Sequence, residues 1–210
     1  GIKPGQHVVL VVGRLDRGKG VADVLHAVQR LVAAGHDVVL AVAGDGAERE
    51  SLRLLAVSLG IASRVHLLGY RSDVSDLLRA ADVFVIASYS EGLPIALLEA
   101  MALSRPVVAT RVGEIASVLE SGRLGRLLNP GDIDQLSSAI ESVVTRVDEA
   151  QQLASAGLQR YLAQQARSDN PRDDASCLTR PSRLGKVTPR VWYTQDYSGD
   201  FAPRNPGTHY

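Results

Sequence analysis

The feature that most constrains this chain is an alternation. Short apolar runs, "HVVLVVG", "DVVLAVAG", "RVHLLG", "DVFVIAS", "PVVAT" and "GRLLN", recur along the first two thirds of the sequence. Runs this short, rich in Val and apolar at consecutive positions, are what strands buried on both faces require. Between them apolar residues repeat at helical spacing. Val21, Val24, Leu25, Val28, Leu31 and Val32 predict one helix, stopped at Gly35, and Leu52, Leu55, Ala56 and Leu59 a second, stopped at Gly60. "DVSDLLRAA", "PIALLEAMAL" and "EIASVLES" read as shorter helices. A single long helix is expected after "PGD", with Asp132 as its N-cap, Gln135 completing a capping box, and a stripe of Ile133, Leu136, Ile140, Val143, Val144 and Val147.

Strand and helix alternating about six times predict an α/β fold, a Rossmann-like doubly wound parallel β-sheet of about six strands covered on both faces. Such sheets bind ligands beyond the carboxyl ends of their strands. The loops to watch are therefore Gly13–Lys19, Gly44–Glu48, Gly69–Asp73, Ser88–Leu93 and Thr110–Glu114.

Lys+Arg and Asp+Glu both number 23, so no global field draws the chain to nucleic acid or to an anionic membrane. Any phosphate recognition must come from placed residues. The single cysteine, Cys177, excludes a disulfide framework, and no apolar run reaches membrane-spanning length. A cytoplasmic protein is expected. Five scattered His and one Cys offer no metal-ligand spacing, so no metal or other cofactor is expected. From about Arg167 onward the apolar periodicity stops, and Pro171, Pro181, Pro189, Pro203 and Pro206 accumulate beside Trp192, Tyr193, Tyr197, Phe201 and Tyr210. Residues 167–210 read as an irregular or disordered tail.

"GRLDRGKG", Gly13 to Gly20, is a G-x-x-x-x-G-K pattern after the first strand. An NTP-hydrolysing loop needs a hydroxyl after its lysine to hold magnesium, and here that position is Gly20. A magnesium-binding Asp should also end a later apolar strand, but "DVFVIAS" ends in Ala87-Ser88 and carries Asp82 at its beginning. Two parts of the machinery are missing, and the G-x-G-x-x-G dinucleotide spacing is absent. Arg14 and Lys19 keep their meaning: both can aim at one anion over the sheet edge, although an isolated Arg and Lys are more often solvated surface charges.

A second constellation decides between these. Glu91 precedes Gly92 after the fourth strand, Pro94 suits the first turn of the next helix, and Glu99 lies inside that helix among Leu97, Leu98, Ala100, Met101 and Ala102. The helix N-terminus would turn its amides toward the same crevice. A carboxylate on so apolar a helix is costly to bury unpartnered, so Glu99 either rides an exposed stripe or has work to do. Together, G-R-L-x(3)-K-G, G-D-G, A-D-V-F-V-x-x-S, E-G-x-P-x(3)-L-E-A-M-A and P-V-V-A-T resemble the C-terminal lobe of a family 4 glycosyltransferase with the GT-B fold, over roughly Val8 to Val147.

The resemblance implies a donor lobe binding a nucleotide-diphosphate sugar, in a retaining enzyme that needs no metal. It assigns the ribose hydroxyls to Glu99, the donor sugar and the developing positive centre to Glu91, and the diphosphate to Arg14 and Lys19. Gly13, Gly44 and Gly46 would bring backbone close to the nucleotide. Gly69, Tyr70 and Arg71 would bracket the base, and Gly92, Leu93 and Pro94 would shape the sugar–phosphate pocket. On this reading residues 1–6 are the end of an interdomain linker, 7–166 the donor domain, and the N-terminal lobe that holds a glycan or lipid-linked acceptor is absent. Any contact with the inner membrane face would run through that lobe. An isolated chain would then transfer poorly, and a non-catalytic subunit of a split or decayed transferase is the alternative. A P-loop-like NTPase is the weaker one, and Gly20→Thr is expected to change nothing in a transferase. Two segments depart from the family pattern: Ser104 stands in place of a glycine before "PVV", and "VGEIASVL" lacks a second glycine at Glu114 and a glutamate near Ser117.

Overall fold

The computed structural model describes residues 2–168. The predicted tail lies outside them, apart from 167 and 168, which continue the last helix. Six strands form one parallel sheet: β1 (His7–Val12), β2 (Val38–Ala43), β3 (Val65–Gly69), β4 (Val83–Ile86), β5 (Val107–Thr110) and β6 (Arg126–Leu128). Their order in space is β3-β2-β1-β4-β5-β6. The chain first builds outward from β1 to β3, then returns to β4 on the other side of β1. That reversal puts a topological switch point between β1 and β4, where the loops leaving the two strands diverge and open a crevice.

The pleat sorts the strand residues between two cores. Val9, Val11, Leu40, Val42, Val83 and Val85 face one layer, while Val8, Leu10, Val39, Ala41, Phe84 and Ile86 face the other. The first layer is made by α1 (Val21–Ala33), α2 (Arg49–Ser58) and α6 (Ile133–Thr145). The second holds α3 (Val74–Ala80), α4 (Ile95–Ala102), α5 (Ile115–Val118) and α7 (Val147–Ser168). Helix α1 carries Val21, Val24, Val28 and Val32, a residue that costs a helix about 0.5 kcal/mol relative to Ala. Burying Val21, Val24 and Val28 returns about 2 kcal/mol each, so packing outweighs propensity here.

The long helix expected after "PGD" is two helices. Asp132 caps α6 as expected, accepting from the Gln135 amide at 2.9 Å. At Arg146 the backbone leaves helical geometry (φ −114°, ψ 63°), and α7 starts anew at Val147. Helix α7 packs along α4. Gln151 Nε2 donates to Ser104 Oγ at 3.2 Å, and a side chain at Gly157 would meet Met101, so the two helices run antiparallel.

Helices α1, α2 and α4 end in the same motif. In each, the residue after the C-cap turns left-handed and two amides reach back to orphan carbonyls. That residue is Gly35 after α1, Gly60 after α2, and Ser104 (φ 52°) after α4. The departure at Ser104 therefore falls where the backbone needs positive φ. Glu114, the other departure, has an ordinary φ of −78° and carries no strain.

Candidate functional site

The loops leaving β1 and β4 meet over the switch point. Lys19 Nζ donates to Glu91 Oε1 at 2.6 Å, and Ser88 Oγ donates to the same oxygen at 2.7 Å. Both charged side chains are withdrawn, at 25% exposed for Lys19 and 13% for Glu91. A charge-assisted bond in this setting belongs to the strong class. Two further bonds latch the loops. The Tyr89 amide donates to the Gly18 carbonyl at 2.8 Å, and the Tyr89 hydroxyl to Asp23 Oδ2 at 2.7 Å. That hydroxyl holds its proton more firmly than usual, first because of the bond to Asp23. Gly13, Arg14, Lys19, Glu91 and Pro94 line one crevice, floored by the ends of β1 and β4.

Lys19 precedes the helix. It closes a short 3₁₀ turn, Arg17–Lys19, and Gly20 stands between that turn and α1 in left-handed conformation (φ 62°). A Cβ on Gly20 would lie 2.1 Å from the Ala87 carbonyl oxygen. The expectation that Gly20→Thr is harmless is thus corrected, since the side chain would drive the β1 loop off β4. The same contact removes the P-loop reading, because the position that needs a hydroxyl has no room for one.

Arg14 sits on the rim, 77% exposed, with Nε donating to Asp16 Oδ2 at 2.8 Å. Its guanidinium is held locally rather than shared with Lys19. Gly44 and Gly46 serve close loop contacts: added side chains would strike the carbonyls of Gly13 and Leu15. The Gly44 amide also donates to the Gly69 carbonyl at 2.7 Å, tying the ends of β2 and β3. Beyond Gly69, Tyr70 is exposed and Arg71 pairs with Asp73, its Nε 2.7 Å from Oδ1. That pairing pulls the Asp73 carboxyl below its ordinary range. Gly92 and Leu93 lead into α4, where Pro94 is the N-cap (φ −69°, ψ 121°) rather than the first helical residue. Gly113 (φ 50°) brings the β5 loop against this segment, with room for no Cβ beside the Glu91 carbonyl 1.9 Å away.

Glu99 is held differently. It is half-buried on α4 and its carboxylate has no hydrogen bond or ion pair among the described residues. Burial alone pushes its pKa above the ordinary 4.5. The phenol of Tyr161 on α7 is raised too, by burial first and then by the Glu99 charge. Glu99 lies one helical turn after Ile95, which is exposed. The fold brings Lys19 and Glu91 into contact, keeps Arg14 on the rim, and leaves Glu99 outside the crevice lining.

The profile of the family described as Glycosyl transferases group 1 matches residues 1–160. The chain belongs to that family. It is 35% identical over 160 residues to the lipopolysaccharide core biosynthesis glycosyltransferase LpsE of Rhizobium meliloti, an alignment covering 76% of this chain and 46% of that protein. It is 36% identical over 147 residues to the D-inositol 3-phosphate glycosyltransferase of Mycobacterium marinum, covering 69% and 32%. The chain thus spans less than half the length of either curated relative. Anabaena HepE in complex with UDP superposes with a TM-score of 0.69 at 26% identity, over 78% of this chain and 49% of that one. The GT-B-type, Rossmann-like architecture expected of the family is the one observed. Among the described residues no helix is long and apolar enough to cross a membrane.

Sequence reasoning passed over Ser88, Thr110 and Gly113, which build the site from behind. Ser88 and Thr110 were visible as loop boundaries, but nothing in their spacing says that their side chains point inward. Gly20 was noticed only for the hydroxyl it lacks.

Proposed function

We propose that this chain is the donor-binding lobe of a retaining glycosyltransferase that transfers a hexose-type sugar from a nucleotide diphosphate to a glycan or lipid-linked acceptor. The observation that carries the reading is the Lys19–Glu91 pair at the switch point, with Arg14 beside it. Lys19 and Arg14 take the diphosphate, and Glu91 takes a sugar hydroxyl. Glu99 accepts from the ribose, to which an unpartnered carboxylate on a helix beside the crevice is suited. When the C1–oxygen bond breaks, the diphosphate leaves with the electron pair, and the fixed cations and the α4 amides stabilise the growing negative charge. Cationic side chains in that role make a bound metal unnecessary. Gly69, Tyr70 and Arg71 stand at the end of β3, where the base would reach; Gly92, Leu93 and Pro94 border the sugar. HepE was crystallised with UDP, which makes UDP the first nucleotide to try.

This reading gives the crevice to the donor, so the acceptor is oriented by a second lobe in the assembled enzyme. Orientation is a large part of the rate, and the chain by itself transfers sugar slowly or not at all. The test is calorimetric titration with UDP, GDP and ADP and their glucose or mannose sugars, in EDTA and again with magnesium. Saturable binding of one nucleotide in EDTA is expected, and it names the base. A folded protein that binds none of them, or binds only with magnesium, contradicts the reading. Product anomers from the assembled enzyme test retention, since an inverted linkage is incompatible with it.

A further inference from the structure

Among the described residues two polar side chains are buried, Ser88 (2% exposed) and Thr110 (1%). They close the carboxyl ends of neighbouring strands, Thr110 ending β5 and Ser88 following β4. Thr110 Oγ1 lies 2.6 Å from the Ser88 carbonyl and 3.4 Å from that of Ile86, so its single proton goes to Ser88. The Ser88 hydroxyl lies 2.7 Å from Glu91 Oε1 and can only donate to a carboxylate. Lys19 Nζ donates to that same oxygen at 2.6 Å. The two lone pairs of Oε1 are thereby used, while Oε2 has no partner among the described residues.

We propose that Thr110 and Ser88 are positioning residues that hold Glu91 by its Oε1 and present Oε2 to a hydroxyl of the donor sugar. The proposal rests on the sugar-binding role given to Glu91 above. Buried polar groups in a sheet interior carry a desolvation cost, and here both are satisfied by one chain of bonds that ends on a functional carboxylate. The main chain of Ser88 is pinned on both sides, by Thr110 at its carbonyl and by the Gly18 carbonyl at the next amide. Glu91 has a side chain with three rotors, and fixing one oxygen before the donor arrives removes an ordering cost from sugar binding. Lys19 alone does not fix the orientation, because a carboxylate can pivot about one cation. The second donor, from a different strand end, sets the plane. Sequence order hides this relay, since Thr110 and Glu91 are 19 positions apart.

The relay predicts selectivity for the sugar rather than for the nucleotide. The experiment compares affinities for UDP and UDP-glucose, or for the matching pair if the titration above selects another base, in the wild-type chain and in Ser88→Ala, Thr110→Val, Thr110→Ser and Glu91→Gln. Thr110→Val is isosteric, so it keeps the packing of β5 and removes only the hydroxyl. Ser88→Ala is expected to weaken UDP-glucose about tenfold, the size of one charge-assisted hydrogen bond, and Thr110→Val, which removes a neutral bond to the Ser88 carbonyl, about fivefold, while UDP changes less than about twofold. Thr110→Ser should retain wild-type behaviour. Equal weakening of both ligands, or an unaltered ratio in folded variants, overturns the relay and leaves Ser88 and Thr110 as sheet-end packing. If Glu91→Gln itself leaves the ratio unchanged, the sugar-binding role of Glu91 fails, and the relay with it.

Discussion

Glu91 and Glu99 are the same side chain, eight positions apart on one loop–helix segment, and the fold treats them in opposite ways. Glu91 is nearly enclosed and has a cation and a hydroxyl on one oxygen. Glu99 is half-buried with no partner, and burial raises its pKa. A buried charge that is paired is part of the architecture; one that is unpaired costs stability and is kept for something else. The difference teaches how a single sequence element can hold one side chain in two opposite electrostatic states. On the proposed function, the paired carboxylate is preorganised for the sugar, and the unpaired one takes hydroxyl donors that the described residues do not supply.

The most drastic way to break the paired side is through the backbone. Gly20→Thr places a side chain against the Ala87 carbonyl and in left-handed conformation. A loss of about 3 kcal/mol or more in chemical denaturation is expected, with nucleotide binding abolished. A variant as stable as wild type would mean that the β1 and β4 loops are not locked together. Next in size is Lys19→Met. It leaves Glu91 buried without its cation and should cost about 2 kcal/mol, measured as a shift of the urea midpoint. An unchanged midpoint would show the pair to be ornamental to stability.

The fold was legible because its signals are local and repeated. Consecutive Val and Leu gave the buried strands, and 3.6-residue spacing gave α1, α2 and α6. The break at Arg146 was not legible, since Val143, Val144 and Val147 continue an apolar stripe across it. At the site, Lys19 and Glu91 were legible as motif residues, but their contact is not, because it depends on β4 sitting beside β1. The family pattern grouped Lys19 with Glu91 in one site, which spacing could not. The meaning of Gly20 and Gly113 lay in which carbonyl each approaches, a tertiary fact.

On the unpaired side the expected effects are smaller. Ser104→Gly replaces the one non-glycine among the left-handed ends of α1, α2 and α4 and should stabilise the protein by about 1 kcal/mol, less the weak bond to Gln151. Thermal denaturation reads it, and destabilisation would mean that the Gln151 contact outweighs the strain.

Smallest is Glu99→Gln. The folded-state pKa lies above the unfolded value of 4.5, so folding takes up protons in this window. The contribution of Glu99 is therefore most favourable below pH 4.5 and is lost as pH rises through the raised folded value. Glu99→Gln should melt about 1–2 °C above wild type at pH 7, with the difference shrinking toward pH 4. A gap that widens on acidification would contradict the unpartnered state of Glu99. Nucleotide affinity should also fall on acidification sooner than an ordinary carboxylate predicts, since the protonated form is the poorer acceptor for ribose hydroxyls.

The central claim is that the two glutamates read different parts of one ligand. The most direct test titrates Glu91→Gln and Glu99→Gln with UDP and with UDP-glucose, or with the pair for whichever base binds, in EDTA. The account predicts that Glu99→Gln weakens both ligands by the same factor, while Glu91→Gln weakens only the sugar nucleotide. Equal effects of the two substitutions on both ligands, or no effect of either, would contradict it.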